Sequence, residues 1–156
     1  MTSLKRILLV EDSPKDIELT LAALEEHRLA NEVIVCRDGS EALDYLYRRG
    51  KFTNNTDDLP AVMLLDLKMP KVGGLEVLTV IKADPELKNL PVVMLTSSRE
   101  EQDLVKSYQL GVNAYVVKPV DFQQFIDSIK ALGFFWAVVN EPPPPSLKQQ
   151  TPGTQQ

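Results

Sequence analysis

The stretch ILLVEDSPKD, residues 7–16, contains a strand, two neighbouring acids and the start of a helix. Its four apolar residues predict a buried strand, and Glu11 and Asp12 follow at the point where this strand leaves the core. Ser13 and Pro14 are typical of the cap and the first position of a helix. Two carboxylates about 4 Å apart repel each other by roughly 4 kcal/mol at an effective dielectric near 20. The acid pair is therefore either fully solvated or held by a cation.

The same order of a strand and then a helix recurs along the chain. Apolar runs stand at RILLV, EVIVC, AVMLLD, PVVML and AYVVK, and each is followed by a segment of helical periodicity. The runs are nearly continuous in Val, Ile, Leu and Met, which suits strands that are covered on both faces. The pattern predicts an α/β fold, a doubly wound (βα)5 three-layer sandwich with a parallel sheet between two helical layers.

Two later helices also have clear starting signals. Ser98 and Glu101 have the spacing of a capping box, and Asp121 can cap the last helix. We expect Gly111, in a left-handed conformation, to end the helix that begins after Ser98. The apolar residues of that helix are Leu104, Val105 and Tyr108.

The chain of 156 residues has the size of one ordinary domain. We predict a folded domain over residues 1–140, in which GKFTNNTDDLP, residues 50–60, forms an exposed loop because it lacks apolar periodicity. From Asn140 the sequence becomes NEPPPPSLKQQTPGTQQ, a composition that does not support a packed core. Residues 141–156 are therefore predicted to form a disordered tail rich in Pro and Gln.

Charge and cysteine content narrow the classes of partner. The formal net charge of −5 disfavours non-specific binding to nucleic acid or to an anionic membrane surface. No apolar run approaches the length of a membrane span, and the first residues lead into a strand instead of a secretory signal. Cys36, the only cysteine, lies in an apolar run where a small core residue is expected. These features predict a soluble cytoplasmic protein with no nucleic acid or membrane partner.

Polar residues with chemical functions stand where the predicted strands end. In an open parallel sheet, the ligand crevice lies at the carboxyl ends of the strands, near the point where strand order reverses. The residues that end or follow the first, third, fourth and fifth strands are Glu11 and Asp12, Asp66, Thr96 and Ser97, and Lys118. A charged residue at one strand end is usually solvated surface, but polar chemistry at four strand ends is harder to explain in that way. We therefore expect these side chains to meet at one edge of the sheet.

This combination of residues resembles the receiver domains of two-component response regulators. The resemblance rests on the paired acids, the motif D-x-x-M-P-x-x-G-G, Thr-Ser after the fourth strand and Lys-Pro after the fifth, and it covers residues 4 to about 132. The runs YLYRRGKF, KADPELKNLPVVMLTSS and FFW followed by prolines are similar to the single-domain response regulators that serve phytochrome-type histidine kinases. The resemblance implies a flavodoxin-like fold with strand order 2-1-3-4-5.

The resemblance also implies a phosphoacceptor and a metal site. Asp66 would attack the phosphorus of a phosphohistidine in a sensor histidine kinase and become an aspartyl phosphate. Glu11, Asp12 and Asp66 offer the hard oxygen ligands that Mg²⁺ favours, and the backbone carbonyl of Lys68 would join them. Bound Mg²⁺ would explain why two neighbouring acids are tolerated. The side chain of Lys68 either influences hydrolysis of the acyl phosphate or is simply solvated.

The remaining residues at the strand ends receive roles from the same resemblance. Lys118 would pair with the phosphoryl group or with its acceptor, and a cis peptide bond before Pro119 would aim it inward. Thr96 would donate its hydroxyl to a phosphoryl oxygen, and Tyr115 would swing inward when Thr96 moves. Ser97 replaces the alanine that is common in the family, and a role as a donor near the phosphoryl group is one interpretation.

An apolar and aromatic segment follows the last predicted helix. Phe134, Phe135 and Trp136 offer more apolar surface than one helix face readily buries, which is typical of an interaction site. We predict a homodimer through this segment and the face formed by the fourth helix, the fifth strand and the fifth helix. The alternative is that the segment extends the last helix and packs onto its own sheet.

Three functions are compatible with these residues. The leading one is an interaction module operated by phosphorylation, not an enzyme beyond weak self-catalysed phosphoryl chemistry. The second is a phosphatase with an aspartyl nucleophile, but such enzymes usually carry a second acid two residues after the nucleophile, and Lys68 occupies that position. The third is a degenerate receiver that acts as a constitutive scaffold, and the complete set of acids, hydroxyls and lysine argues against it.

Overall fold

Five β-strands alternate with five α-helices in the computed structural model, which describes residues 6–26, 32–112 and 114–132. The strands are β1 (Ile7–Val10), β2 (Val33–Cys36), β3 (Val62–Asp66), β4 (Val92–Thr96) and β5 (Ala114–Val117). The helices are α1 (Pro14–Glu26), α2 (Gly39–Tyr47), α3 (Gly74–Ala83), α4 (Arg99–Ser107) and α5 (Phe122–Leu132). A short 3-10 helix, Gly50–Phe52, lies in the loop before β3, which is largely exposed as predicted.

The sheet is parallel throughout, and its order is β2-β1-β3-β4-β5, which confirms the predicted order. The order reverses at β1, since this strand pairs with both β2 and β3. In the register, Val10 lies beside Cys36 on one side and Leu65 on the other. Thr96 lies beside Val117 in the same way. The carboxyl ends of the strands are therefore aligned, and the residues that follow them share one edge of the sheet, called the carboxyl edge below.

Two apolar cores cover the two faces of the sheet. Helices α2, α3 and α4 pack on one face, whose buried strand residues include Leu8, Val10, Met63, Leu65 and Met94. Helices α1 and α5 pack on the other face, whose buried strand residues include Ile7, Leu9, Val62, Leu64, Val93 and Leu95. All of these side chains are fully buried. Because both faces are covered, the strands need apolar residues at successive positions, as their sequence predicts.

Helix α4 is shorter and less buried than its sequence suggests. The chain turns out of the helix at Gln109, which has a φ of 53°, two residues before Gly111 with a φ of 80°. The N–H of Tyr108 donates to the carbonyl of Val105 at 3.1 Å, so the last turn is tightened before Gly111 is reached. Val105 is buried, whereas Leu104 and Tyr108 are 44% and 55% exposed. The helix therefore presents apolar side chains to the surface.

A close approach of two backbone segments places the start of α3 against the end of β3. The N–H of Gly74 donates to the carbonyl of Leu67 at 2.9 Å. A Cβ atom at Gly74 would overlap the carbonyl oxygen of Asp66, so only glycine fits at this position. The glycine thereby helps to position the loop that follows Asp66.

Several features named from the sequence lie outside the described residues. These are the aromatic segment Phe134, Phe135 and Trp136 and the tail at residues 141–156. Cys36 lies within the described part of the chain and is fully buried, as expected for a small core residue. Of the helices that the structure describes, none has the length and apolar character needed to cross a membrane.

Candidate functional site

Three carboxylates meet at the carboxyl edge of the sheet. Glu11 and Asp12 follow β1, Asp66 ends β3, and one oxygen from each of the three lies within 4.8 Å of the others. Glu11 is fully buried and Asp66 is only 4% exposed, whereas Asp12 is half-buried. The neighbouring position of β1 and β3 in the sheet brings these acids together, although Asp12 and Asp66 are far apart in the sequence. The predicted convergence of the acids is confirmed.

Lys118 is the cation that the described structure places against these acids. Its Nζ lies 3.0 Å from Asp66 Oδ1 and 3.2 Å from Glu11 Oε1. Asp16, in the first turn of α1, supplies a third carboxylate at 3.0 Å. The peptide bond between Lys118 and Pro119 is cis, as predicted, and the backbone N–H of Lys118 donates to the carbonyl of Thr96 at 2.8 Å. One ammonium group thus contacts carboxylates from the loop after β1, from the end of β3 and from α1.

Burial and mutual repulsion shift the pKa values of this cluster. Burial, followed by the charge of Asp66, raises the pKa of Glu11 to about 7. Burial also raises the pKa of Asp66, and the hydrogen bond from Lys118 partly opposes this effect. Burial alone lowers the pKa of Lys118, but the hydrogen bonds to Asp66 and Asp16 outweigh it, so the net pKa rises. The acids are therefore short of compensating positive charge.

The donor set fits a hard divalent cation. Carboxylate oxygens are the ligands that Mg²⁺ and similar ions prefer, and three of them converge within 4.8 Å. One lysine cannot neutralise Glu11, Asp12, Asp66 and Asp16 together. A divalent cation would supply the missing charge and oppose both the burial and the repulsion by Asp66 that raise the pKa of Glu11.

Thr96 presents an unpaired hydroxyl at the same edge. Its side chain is fully buried at the end of β4, and its Oγ1 has no hydrogen-bond partner in the described part of the chain. The register places Asp66 beside Leu95, so Thr96 stands one residue beyond this pair. A buried hydroxyl without a partner costs about 1–3 kcal/mol. A ligand oxygen that accepts from Thr96 would recover this free energy.

Tyr115 and Thr96 lie on the same face of the sheet. Tyr115 pairs with Met94 in the register between β4 and β5, and the face of Met94 is also the face of Thr96 because strand residues alternate. The Tyr115 ring is half-buried, and its hydroxyl donates to the carbonyl of Val112 at 3.3 Å. The ammonium of Lys106 lies 5.3 Å from the centre of the ring. Tyr115 therefore links β5 with α4 on the side of the sheet that carries Thr96.

Lys68 and Ser97 are joined by an acid that was predicted only as part of a helix cap. Glu101 Oε1 accepts from the backbone N–H of Ser97 at 2.7 Å, and Glu101 Oε2 lies 3.4 Å from Lys68 Nζ. Its own N–H donates to Ser98 Oγ at 3.3 Å, which confirms the cap at the start of α4. The carboxylate, however, reaches past Ser98 to Ser97 and to the loop after β3. Glu101 thus joins the loops that follow β3 and β4.

Two residues of the site were therefore missed by sequence reasoning, Asp16 and Glu101. Each stands at the third position of a helix that begins at the carboxyl edge, and each follows a capping serine by three residues. Helix capping explains both acids without any further role, so the sequence carries no separate signal. The one available clue is that α1 and α4 both start at the edge where the other site residues meet.

A comparison with protein-family models matches residues 7–130 to the response regulator receiver domain. The match covers most of the chain and includes the three acids, Thr96 and Lys118. The chain belongs to the family of response regulator receiver domains, as the residues at its strand ends predicted, and it is a response regulator of two-component signalling.

Known relatives include regulators from phytochrome systems. The chain is 40% identical over 132 residues to the response regulator Rcp1 of Synechocystis sp., which covers 85% of this chain and 88% of Rcp1. It is 64% identical to the bacteriophytochrome response regulator AtBRR, whose solved structure matches with a TM-score of 0.85 over 90% of this chain and 100% of that one. A Mn²⁺-bound form of Rcp1 matches with a TM-score of 0.68 and 38% identity, over 90% of this chain and 99% of that one.

Proposed function

We propose that the chain accepts a phosphoryl group on Asp66 from the phosphohistidine of a phytochrome-type sensor histidine kinase. The observation that carries this proposal is the position of the Asp66 carboxylate, 3.0 Å from Lys118 Nζ and within 4.8 Å of oxygens from Glu11 and Asp12. The similarity to AtBRR and Rcp1 supports the class of kinase. A cytoplasmic location is part of the proposal, because the kinase takes its phosphoryl group from ATP.

The transfer itself needs charge stabilisation more than covalent machinery. An Asp66 oxygen forms a bond to phosphorus while the bond from phosphorus to the kinase histidine breaks, and the histidine nitrogen keeps the electron pair. The transition state spreads negative charge over the equatorial phosphoryl oxygens. Lys118 places a positive charge beside Asp66, and the unpaired hydroxyl of Thr96 donates to one of these oxygens.

Glu11, Asp12, Asp66 and the backbone carbonyl of Lys68 would hold Mg²⁺, which would supply further positive charge at the site. The chain is a phosphoacceptor with weak self-catalysed chemistry and not an enzyme that acts on other substrates. Slow hydrolysis forms a bond from a water oxygen to phosphorus, breaks the bond to Asp66, and returns the carboxylate and inorganic phosphate.

Phosphotransfer from a purified kinase tests the proposed function. The chain is mixed with a phytochrome-type kinase that carries labelled phosphohistidine, with and without Mg²⁺. We expect the label to reach this chain only with Mg²⁺, and peptide mapping to place it on Asp66. If acetyl phosphate labels Asp66 but the kinase does not, the class of partner is wrong. If neither donor labels Asp66, the acceptor role is wrong.

We further propose that phosphorylation shifts Thr96 and Tyr115 together. A phosphoryl oxygen that draws the Thr96 hydroxyl toward Asp66 leaves space on the face of the sheet that Tyr115 shares with Thr96. Tyr115 then turns inward and changes the surface of α4, β5 and α5. The change is a shift between two populated states, and phosphorylation favours one of them.

Substitution of Thr96 is expected to separate phosphorylation from this shift. Thr96→Ala should still be phosphorylated on Asp66, but amide exchange in α4 and β5 should respond at most half as strongly as in the wild type. Thr96→Ser keeps the hydroxyl and should respond like the wild type. Hydrogen exchange with mass spectrometry, with and without acetyl phosphate, measures the response, and an equal response in Thr96→Ala contradicts the coupling.

We also propose a homodimer through the face of α4, β5 and α5. Leu104 on α4, Tyr108 directly after α4 and Val117 on β5 are 44%, 55% and 39% exposed, so apolar side chains of this face point outward. A second copy of the chain offers the same apolar residues in return and can cover them in an isologous interface. The aromatic segment that was predicted to assist lies outside the described residues.

Sedimentation equilibrium tests the dimer with a pair of leucine variants. We expect Leu104→Ser to weaken dimerisation about tenfold, because an apolar contact at the centre of an interface is lost. Leu19→Ser is the matched control, since Leu19 lies on α1 and is 39% exposed. A wild-type mass that stays monomeric at all concentrations, with and without beryllofluoride, rules the dimer out.

A further inference from the structure

The carboxylate of Glu101 holds two donors that flank the phosphorylation site. One is the backbone N–H of Ser97, at 2.7 Å, and the other is the ammonium of Lys68, at 3.4 Å. Ser97 directly follows Thr96, and Lys68 stands two residues after Asp66. The Glu101 side chain is only 14% exposed, so its charge sits between the two loops instead of extending into solvent. These three groups are called the Glu101 clasp below.

We propose that Glu101 is a positioning residue that competes with the phosphoryl group on Asp66 for the Ser97 N–H and the Lys68 ammonium. This inference rests on the proposed acceptor role of Asp66. It assigns to Glu101 a role beyond capping α4, namely control over how strongly the site holds a phosphoryl group.

The competition follows from charge and from the number of donors. An aspartyl phosphate at Asp66 carries about two negative charges and three strong acceptor oxygens, whereas the free carboxylate carries one negative charge. In the described structure, few hydrogen-bond donors are available for the phosphoryl oxygens. Lys118 already contacts three carboxylates, and Thr96 offers a single hydroxyl. The Ser97 N–H and Lys68 are the next donors along the same two loops. Both are occupied by another anion.

Repulsion adds to this competition. The Glu101 carboxylate and a phosphoryl group at the same edge are both negatively charged, so they repel each other. Phosphorylation is therefore expected to pull Lys68 and the Ser97 N–H away from Glu101. Because Glu101 belongs to the first turn of α4, release of the clasp loosens the start of that helix.

Helix α2 carries a second arrangement of the same kind that provides an internal control. Glu41 Oε1 accepts from the backbone N–H of Arg37 at 2.9 Å, and Glu41 Oε2 lies 2.7 Å from Lys51 Nζ. The N–H of Glu41 donates to the capping residue Asp38 at 2.8 Å, as that of Glu101 does to Ser98. This second clasp follows β2, which β1 separates from β3, so it lies about 10 Å to the side of Asp66.

The two clasps allow helix capping to be separated from control of the site. Glu101→Ala removes both contacts, whereas Glu101→Gln keeps an oxygen for the Ser97 N–H and loses the charge. Glu41→Ala and Glu41→Gln make the same chemical changes at α2. If Glu101 only stabilises a helix start, the two pairs of variants will behave alike in every measurement.

Beryllofluoride mimics the phosphoryl group. Its affinity for the site should not change if Glu101 only stabilises the start of a helix. In the presence of Mg²⁺, we expect Glu101→Ala to bind beryllofluoride about five- to tenfold more tightly than the wild type, and Glu101→Gln about two- to threefold more tightly. The reason is that the Ser97 N–H and the Lys68 ammonium can then donate to the bound anion. Fluorine NMR titration measures the affinity. Glu41→Ala and Glu41→Gln are expected to bind like the wild type, while thermal melting shows similar destabilisation for both alanine variants.

The outcomes distinguish this inference from the proposed function. If the wild type binds beryllofluoride in Mg²⁺ and Glu101→Ala binds it equally or more weakly, Glu101 does not compete and the inference is overturned. If Glu41→Ala also gains affinity, the effect belongs to helix capping and the inference is again overturned. If the wild type itself shows no Mg²⁺-dependent binding, the acceptor role of Asp66 fails and the inference falls with it.

Discussion

Asp66→Asn is expected to abolish labelling of the chain by acetyl phosphate in the presence of Mg²⁺. The asparagine keeps the shape of the side chain but replaces the nucleophilic carboxylate with a neutral amide. It also removes one of the three carboxylates that converge within 4.8 Å. Labelling should fall at least about a hundredfold. The only other described carboxylate that contacts Lys118 and belongs to the three-acid cluster is that of Glu11, and this side chain is fully buried.

Folding of this variant is expected to be intact, so the loss can be assigned to chemistry. Burial raises the pKa of Asp66, which means that the folded state disfavours its charged form. A carboxyl group whose pKa is raised by folding lowers the free energy of unfolding as the pH rises above the pKa that it has in the unfolded chain. Asparagine carries no charge at pH 7, so the substitution removes this loss of stability. Asp66→Asn should therefore melt at or above the wild-type temperature when no metal is present.

Intact-protein mass spectrometry after incubation with acetyl phosphate measures the loss, and peptide mapping locates any remaining phosphoryl group. Asp38→Asn is the matched control, because Asp38 lies at the same edge as the cap of α2 but outside the three-acid cluster. Its labelling should equal that of the wild type. Wild-type labelling in Asp66→Asn would mean that another residue is the acceptor.

The second large effect is expected for the metal. Asp12→Ala should weaken Mg²⁺ binding on the order of a hundredfold, because the ion loses a charged ligand and the remaining oxygens do not offset its dehydration. Asp12 is the half-buried member of the cluster, so its removal disturbs the core less than removal of Glu11 or Asp66. Asp12→Asn keeps one oxygen and should show an intermediate affinity.

Calorimetric titration with Mg²⁺ checks this prediction, and Asp38→Asn again serves as the control that changes charge at the edge without touching the cluster. Labelling by acetyl phosphate should fall in parallel with the Mg²⁺ affinity of Asp12→Ala and recover in part at high Mg²⁺. Unchanged Mg²⁺ affinity in Asp12→Ala would show that Asp12 is not a ligand.

Local patterns in the sequence were enough to predict the strands, the helix starts and the edge of the sheet that carries the site. Continuous apolar runs such as ILLV predict strands covered on both faces, and the serine and proline after Asp12 predict a helix start. In a parallel sheet all carboxyl ends meet at one edge, so residues that follow different strands must lie together. For that reason, the convergence of Glu11, Asp12, Asp66 and Lys118 at one edge could be predicted from their positions at the ends of the predicted strands.

Only the tertiary structure showed which further residues belong to the site. Asp16 contacts Lys118 across 102 positions of the sequence, and Glu101 reaches Lys68 in the loop after a different strand. Both acids serve as ordinary third residues of capped helices, and only the packing of α1 and α4 on the sheet turns their carboxylates toward the site. The same holds for α4, where packing buries Val105 and leaves Leu104 exposed. Periodicity and capping are properties of neighbours in sequence, whereas a side chain's partner depends on distances between elements that only the assembled sheet and helices define.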